Sequence, residues 1–190
     1  MDKTKKSHNR ITFIKIGKET RVFQKIIDEH LHALEALDTI KQEIKQVAEA
    51  LTTAISKGHK IIICGNGGSA ADAHHFAGEL VGRFLKERRP WPVMALGGNV
   101  VAATAMANDY TFGEAYSREL EGFGRPGDVF VGISTSGNSK NIIRAAKTAK
   151  SMGMTTVGLL GAGGGVLRDR VDRAIVVSSS QTPRIQEMHI

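Results

Sequence analysis

The sequence predicts an α/β fold, a three-layer sandwich in which a parallel sheet lies between helices, preceded by a long helical segment. Two observations carry this. Five short apolar runs, rich in Val and Ile, bounded by glycine and lacking polar alternation, read as strands buried on both faces. Helical stretches lie between them, and such alternation joins parallel strands through right-handed crossovers.

Taken in order, residues 1–20 read as a basic, disordered leader. Residues 1–21 hold seven Lys or Arg against two acids, which accounts for most of the net charge of +7. A polyanion partner needs that charge spread over a folded face and rings for base stacking, and only 5% of residues are aromatic. Nucleic acid is therefore not an expected partner. "ITFIKIG" is too short and too interrupted for a signal core or a membrane span. The single cysteine, Cys64, has no partner within the chain, which fits the cytoplasm better than an oxidising compartment. Residues 21–190 are the length of one domain with a single core.

From Arg21 to Lys57, apolar residues recur every three or four positions, the signature of one long helix or two in series. The strands follow: "KIIICG" (60–65), "PVMALG" (92–97), "DVFVGIST" (128–135), "TTVGLLG" (155–161) and "AIVVSS" (174–179). The clearest intervening helix is "NSKNIIRAAKTAKSMG" (138–153). Ligands of such sheets bind at the carboxyl ends of the strands, so the turns after the strands are where function is to be sought.

The turn after the first strand, "GNGGSA", fits half of a dinucleotide fingerprint through Gly65, Gly67 and Ala70. The acidic residue that should close the next strand is missing, since the nearest candidate, Glu87, precedes that strand. The other readings are a close backbone approach to an anion, aided by Asn66 and Ser69 beside a helix N-terminus, or a tight turn capped by Ser69. In "ISTSGNSKN", Ser134, Thr135, Ser136 and Ser139 place four hydroxyls within six residues ahead of a helix, more than capping needs. Hydroxyls and open helix N–H groups suit a phosphate monoester held without a metal. On the helix after the glycine turn, Asp72, His75, Phe76, Glu79 and Arg83 fall in one arc of roughly 100°. Ala73, Ala77, Leu80 and Phe84 form an apolar arc beside it. His75 and Glu79 at i, i+4 could share a divalent ion or form an ordinary surface pair, and Glu79 could serve as a general acid or base.

Together, "CGNGGSAADAHHFAGELVGRF", "ANDY", "GDVFVGISTSGNSKN" and "TPRIQEMHI" resemble the bacterial phosphoheptose isomerases of the sugar-isomerase (SIS) fold, from about Arg21 to the last residue. The resemblance implies a five-stranded parallel sheet and a homotetramer with active sites at subunit interfaces. It also implies one zinc ion per subunit and isomerisation of sedoheptulose 7-phosphate for heptose and lipopolysaccharide precursors. His75, Glu79 and Gln186 match zinc ligands, with Glu79 the acid/base. Ser134, Thr135, Ser136 and Ser139 match the phosphate cradle. Asn66, Gly67, Gly68, Ser69, Asp72, Arg83, Asn108, Asp109 and Gln186 match positions that contact substrate. Three departures stand out. The family has a second histidine five residues after the one matching His189, whereas this chain stops at Ile190, so its last helix reads as truncated and its activity as impaired. Asn99 stands where the family usually has Asp, and Gln181 where a carboxylate contact is expected. The rival reading is a non-catalytic SIS module that binds a sugar phosphate. A nicotinamide-dependent oxidoreductase is a weaker third.

Overall fold

A computed structural model describes residues 16–190, with side chains from Thr20 on. Helices α1 (Ile16–Ala36) and α2 (Lys41–Ser56) are separated by a single 3-10 turn, Leu37–Ile40, so the long apolar period is two helices in series. α1 begins inside the stretch read as leader, and residues 1–15 of that leader lie outside the described residues.

Five strands follow: β1 (Ile61–Cys64), β2 (Val93–Ala95), β3 (Val129–Ser134), β4 (Thr155–Leu160) and β5 (Arg173–Val176). They form one sheet in the order β2-β1-β3-β4-β5, and every neighbouring pair is parallel. The first four apolar runs contain their strands, whereas β5 starts one residue earlier than its run and ends three residues short of it. The connecting helices are α3 (Gly68–Val81), α4 (Val100–Asp109), α5 (Ala115–Phe123), α6 (Lys140–Ser151), the single turn α7 (Gly165–Arg168) and α8 (Thr182–His189). Among the described residues no helix is long and apolar enough to cross a membrane.

Strand residues point alternately to opposite faces, and here both faces are covered. Ile61 and Ile63 pack with Val47, Ala54, Ala73 and Ala77 of α2 and α3. Ile62, Cys64 and Phe130 pack on the other side with Leu120, Ile142 and Ala145 of α5 and α6. Ile61, Ile62 and Ile63 are all fully buried, each worth about 1.5–3 kcal/mol relative to exposure. Cys64 is equally inaccessible, and burial, reinforced by the Glu119 carboxylate, pushes its thiol well above the usual range.

At the opposite edge of the sheet from the strand carboxyl ends, Asp172 ties the approach to β5 onto β4. It accepts from the Thr156 amide and hydroxyl, each at 2.8 Å, and pairs with Lys150 at 3.0 Å. Burial alone would raise this carboxyl, but the Thr156 bonds and the Lys150 ammonium outweigh it and hold it below the ordinary carboxylate range. A depressed folded pKa stabilises above the unfolded value, about 3.9, and that stabilisation is lost as pH falls through the folded one. Asp172→Ala is therefore expected to cost about 1–3 kcal/mol at pH 7. Urea unfolding should show the deficit shrinking below pH 4, and a deficit independent of pH would contradict the assignment.

Candidate functional site

Strand order reverses between β1 and β3. From β1 the chain crosses through α3 to β2 on one side; from β3 it crosses through α6 to β4 on the other. Since α3 and α6 cover opposite faces of the sheet, their opening turns diverge and leave a crevice at the carboxyl ends of two adjacent strands. The glycine turn and the serine turn are those two turns.

The glycine turn places Gly67 at the N-cap of α3, with φ 57° and no side-chain cap. Ser69 does not cap: it lies inside the first turn and is buried. Asn66 faces across the crevice, and its amide exchanges two hydrogen bonds with that of Asn141, at 2.9 and 2.8 Å. Asn141 is buried in the first turn of α6, and its Oδ1 also accepts from the Ile142 amide at 3.0 Å. From below, the Tyr116 hydroxyl donates to the Gly65 carbonyl. Burial, with Cys64 and Glu119 adding to it, pushes this hydroxyl up to about 12, so it remains a donor at neutral pH. Glu119 accepts from the Gly97 amide at 2.8 Å, and thus α5 shores up the turns after both β1 and β2.

In the serine turn, Ser134 ends β3 with its Oγ 3.0 Å from the Oγ of Ser139. Ser139 sits at the N-cap of α6 yet makes no side-chain cap bond. The capping reading thus fails for Ser139, and its hydroxyl closes the turn instead. Ser136 is exposed, and its Oγ accepts from the Asn138 amide at 3.2 Å; Thr135 is half-buried beside it. Gly137 has φ 65°, and a Cβ there would stand 1.8 Å from the Gly164 carbonyl oxygen, so no other residue fits. The Leu167 amide donates to the Gly137 carbonyl at 2.9 Å and the Val166 amide to Asn138 Oδ1 at 3.0 Å, pinning the turn to α7.

Along α3, Gly68, Asp72, His75 and Glu79 share a face. His75 Nε2 lies 3.4 Å from Glu79 Oε1, and both side chains are partly open, at 57% and 42% exposure. Asp72 Oδ2 is buried with no hydrogen-bond partner. Burial raises the Asp72 carboxyl, against the opposing pull of His75. Gln186 arrives from α8 and lies flat against Gly68, where a Cβ would meet its Nε2 at 2.2 Å. Gly68 is about 10 Å along the axis from His75, and the side chains of a helix lean towards its N-terminus, the end at which Gln186 packs. Among the described residues no three His, Cys, Asp or Glu gather to hold a metal, so a site on His75 and Glu79 needs a ligand of another type. The amide oxygen of Gln186 fits that requirement.

Other expected residues stand elsewhere. α3 ends at Val81 with Gly82 as C-cap, so Arg83 is not on the helix face predicted for it; it is exposed and 3.9 Å from Glu87. Phe84, expected in the apolar arc, is 63% exposed for the same reason. Asn108 and Asp109 close α4, where they bond to each other at 3.0 Å and not to either turn. Asn99 caps α4 by accepting from the Ala102 amide at 3.1 Å, a task Asp performs equally well. Gln181 takes the N-cap of α8 without a side-chain bond. Sequence reasoning missed Asn141, although it stands inside the serine motif as a polar residue on a core-facing turn. Tyr116 carried no sequence signal. Asn141→Ala is expected to leave the Asn66 amide unpaired and cost about 1–3 kcal/mol in denaturant unfolding; a change below about 0.5 kcal/mol would show that the pair does not join the turns.

The SIS domain family matches residues 25–161. A phosphoheptose isomerase of Nitratiruptor sp. is 58% identical over 137 residues, covering 72% of this chain and 73% of that protein. One from Campylobacter concisus is 48% identical over 175 residues, covering 92% and 89%. The solved structure of phosphoheptose isomerase from Neisseria gonorrhoeae superposes with a TM-score of 0.85 at 39% identity, covering 91% and 92% of the two chains.

Proposed function

Because the chain belongs to the phosphoheptose isomerases of the SIS domain family, we propose that it converts D-sedoheptulose 7-phosphate to D-glycero-D-manno-heptose 7-phosphate, supplying heptose for surface glycans such as lipopolysaccharide. The observation that carries this reading is the shared face of α3. A histidine–carboxylate pair and a buried, unpartnered Asp72 oxygen stand there, beside a hydroxyl-lined turn at the strand-order reversal.

The phosphate is held by Ser134, Thr135, Ser136 and Ser139 with the opening N–H groups of α6, where the helix dipole favours an anion. Anchoring that end directs the sugar chain towards α3. Asn66, Gly67, Gly68 and Ser69 flank its path, and Asp72 offers its unpartnered oxygen to a sugar hydroxyl. Moving the carbonyl from C2 to C1 is redox-neutral. Glu79 takes a proton from C1; the C–H electrons form the C1–C2 double bond while the C2 carbonyl pair moves to O2, which takes up a proton to complete the enediol. O1 then gives up its hydroxyl proton and becomes the carbonyl, as the double-bond electrons recover at C2 the proton carried by Glu79. A non-catalytic sugar-phosphate module has no need of such a carboxylate, and the relatives disfavour that reading.

His75, Glu79 and Gln186 would hold one zinc ion per subunit, which supplies positive charge beside the two oxygens that exchange roles. The working form is a cytoplasmic homotetramer with sites at its interfaces. Support for association comes from α1, where Val22, Phe23, Ile26, Leu31 and Leu34 are all exposed. Interface sites would also give Arg83, Asn108 and Asp109 a route to the substrate that a single chain does not offer.

Glu79→Gln is expected to lower turnover at least about 10²-fold while sugar-phosphate binding by calorimetry persists; near-normal turnover would remove the proton-carrying role. Ser136→Ala should weaken binding of the phosphorylated sugar and leave that of the free sugar unchanged, and equal losses for both would move the phosphate elsewhere.

A further inference from the structure

α8 has only eight residues, Thr182–His189, too few to hold a helix on their own, so its pose is set by what it touches. It turns three faces to three neighbours. Ile185 is buried against Gly161, and His189 bonds the Leu160 carbonyl at 3.1 Å, which seats the helix on the end of β4. Gln186 faces the start of α3. Arg184 and Glu187 face α1: Arg184 Nη1 donates to the Ile26 carbonyl at 2.9 Å and Nη2 to Glu187 Oε1 at 2.5 Å. The second Glu187 oxygen stands 2.7 Å from His30 Nδ1. An ionised carboxylate only accepts, so His30 donates through Nδ1.

We propose that Arg184, Glu187 and His30 are positioning residues that fix the rotation of α8 and thereby hold the Gln186 amide against Gly68. Gln186 is flanked in sequence by both members of the Arg184–Glu187 pair, one residue from Glu187 and two from Arg184. A rotation of α8 that broke the bonds to Ile26 and His30 would swing Gln186 off the face of α3. The seat on β4 fixes the height of the helix. The ties to α1 fix its angle, and Arg184, almost wholly buried, makes them costly to break. The N-terminal helix thus reaches the site through α8 without contributing a residue to it.

This inference rests on the reading of Gln186 as a zinc ligand, and the test separates the two. Zinc affinity of the full chain is measured by competition with a chromophoric chelator for the parent, Glu187→Ala, His30→Ala, Gln186→Ala and the double variant Gln186→Ala/Glu187→Ala. Glu187→Ala is expected to weaken zinc about 10- to 100-fold, the range for residues that orient a ligand. In the Gln186→Ala background, the same change should cost nothing further. His30→Ala, which removes only a partly exposed ring, should weaken zinc in the same direction if Glu187→Ala fails to fold. His30→Asn, which keeps a donor near the Nδ1 position, should recover most of the loss. An equal loss from Glu187→Ala in both backgrounds, or none in the parent, overturns the positioning role alone. Unchanged zinc affinity in Gln186→Ala overturns the ligand assignment and the positioning role with it.

Discussion

The reversal of strand order between β1 and β3 is the constraint on which the site depends. A sheet that grew in one direction would send successive crossovers over the same face, and their opening turns would crowd one another. Here α3 and α6 leave from adjacent strands towards opposite faces, and in the gap between them two helix N-termini open side by side. The Asn66–Asn141 pair then sets the width of that gap, because two reciprocal amide bonds of 2.9 and 2.8 Å tolerate little change in separation. A third element, α8, closes the rim from the far edge of the sheet.

Division of labour within α3 follows from its packing. Ala73 and Ala77 are small and bury against the sheet, which brings the helix axis close and leaves the adjoining face free for Asp72, His75 and Glu79. Gly68, at the start of the same face, has no side chain, and the space a Cβ would fill belongs to Gln186. Function on this helix thus depends as much on which positions stay small as on which carry reactive groups.

Much of the sheet was legible in the sequence because strands buried on both faces cannot disguise their apolar runs: four of the five runs contain their strand and the fifth overlaps it. The serine turn and the α3 face were legible through spacing and hydroxyl density. α4 escaped notice since it buries no residue and its apolar side chains follow no face. Arg83 and Phe84 were misplaced because a helical wheel assumes the helix continues, whereas Gly82 stops it. The shoring of Gly65 by Tyr116 spans 51 residues and leaves no local trace, and the tie from His30 to Glu187 spans 157. Contacts at such separations are written in the topology and not in any window of sequence.

Cys64 lies at the centre of the sheet, next to the crevice, with no solvent access and a thiol that resists ionisation. A thiolate-seeking reagent reaches it only when the middle of the molecule parts, since reactivity requires both access and deprotonation. Among the described residues it is also the only sulfhydryl. The chain therefore carries its own clock for core opening: the rate at which a maleimide marks this single atom reports how often β1 comes away from its neighbours, and whether a sugar phosphate lodged above slows the event.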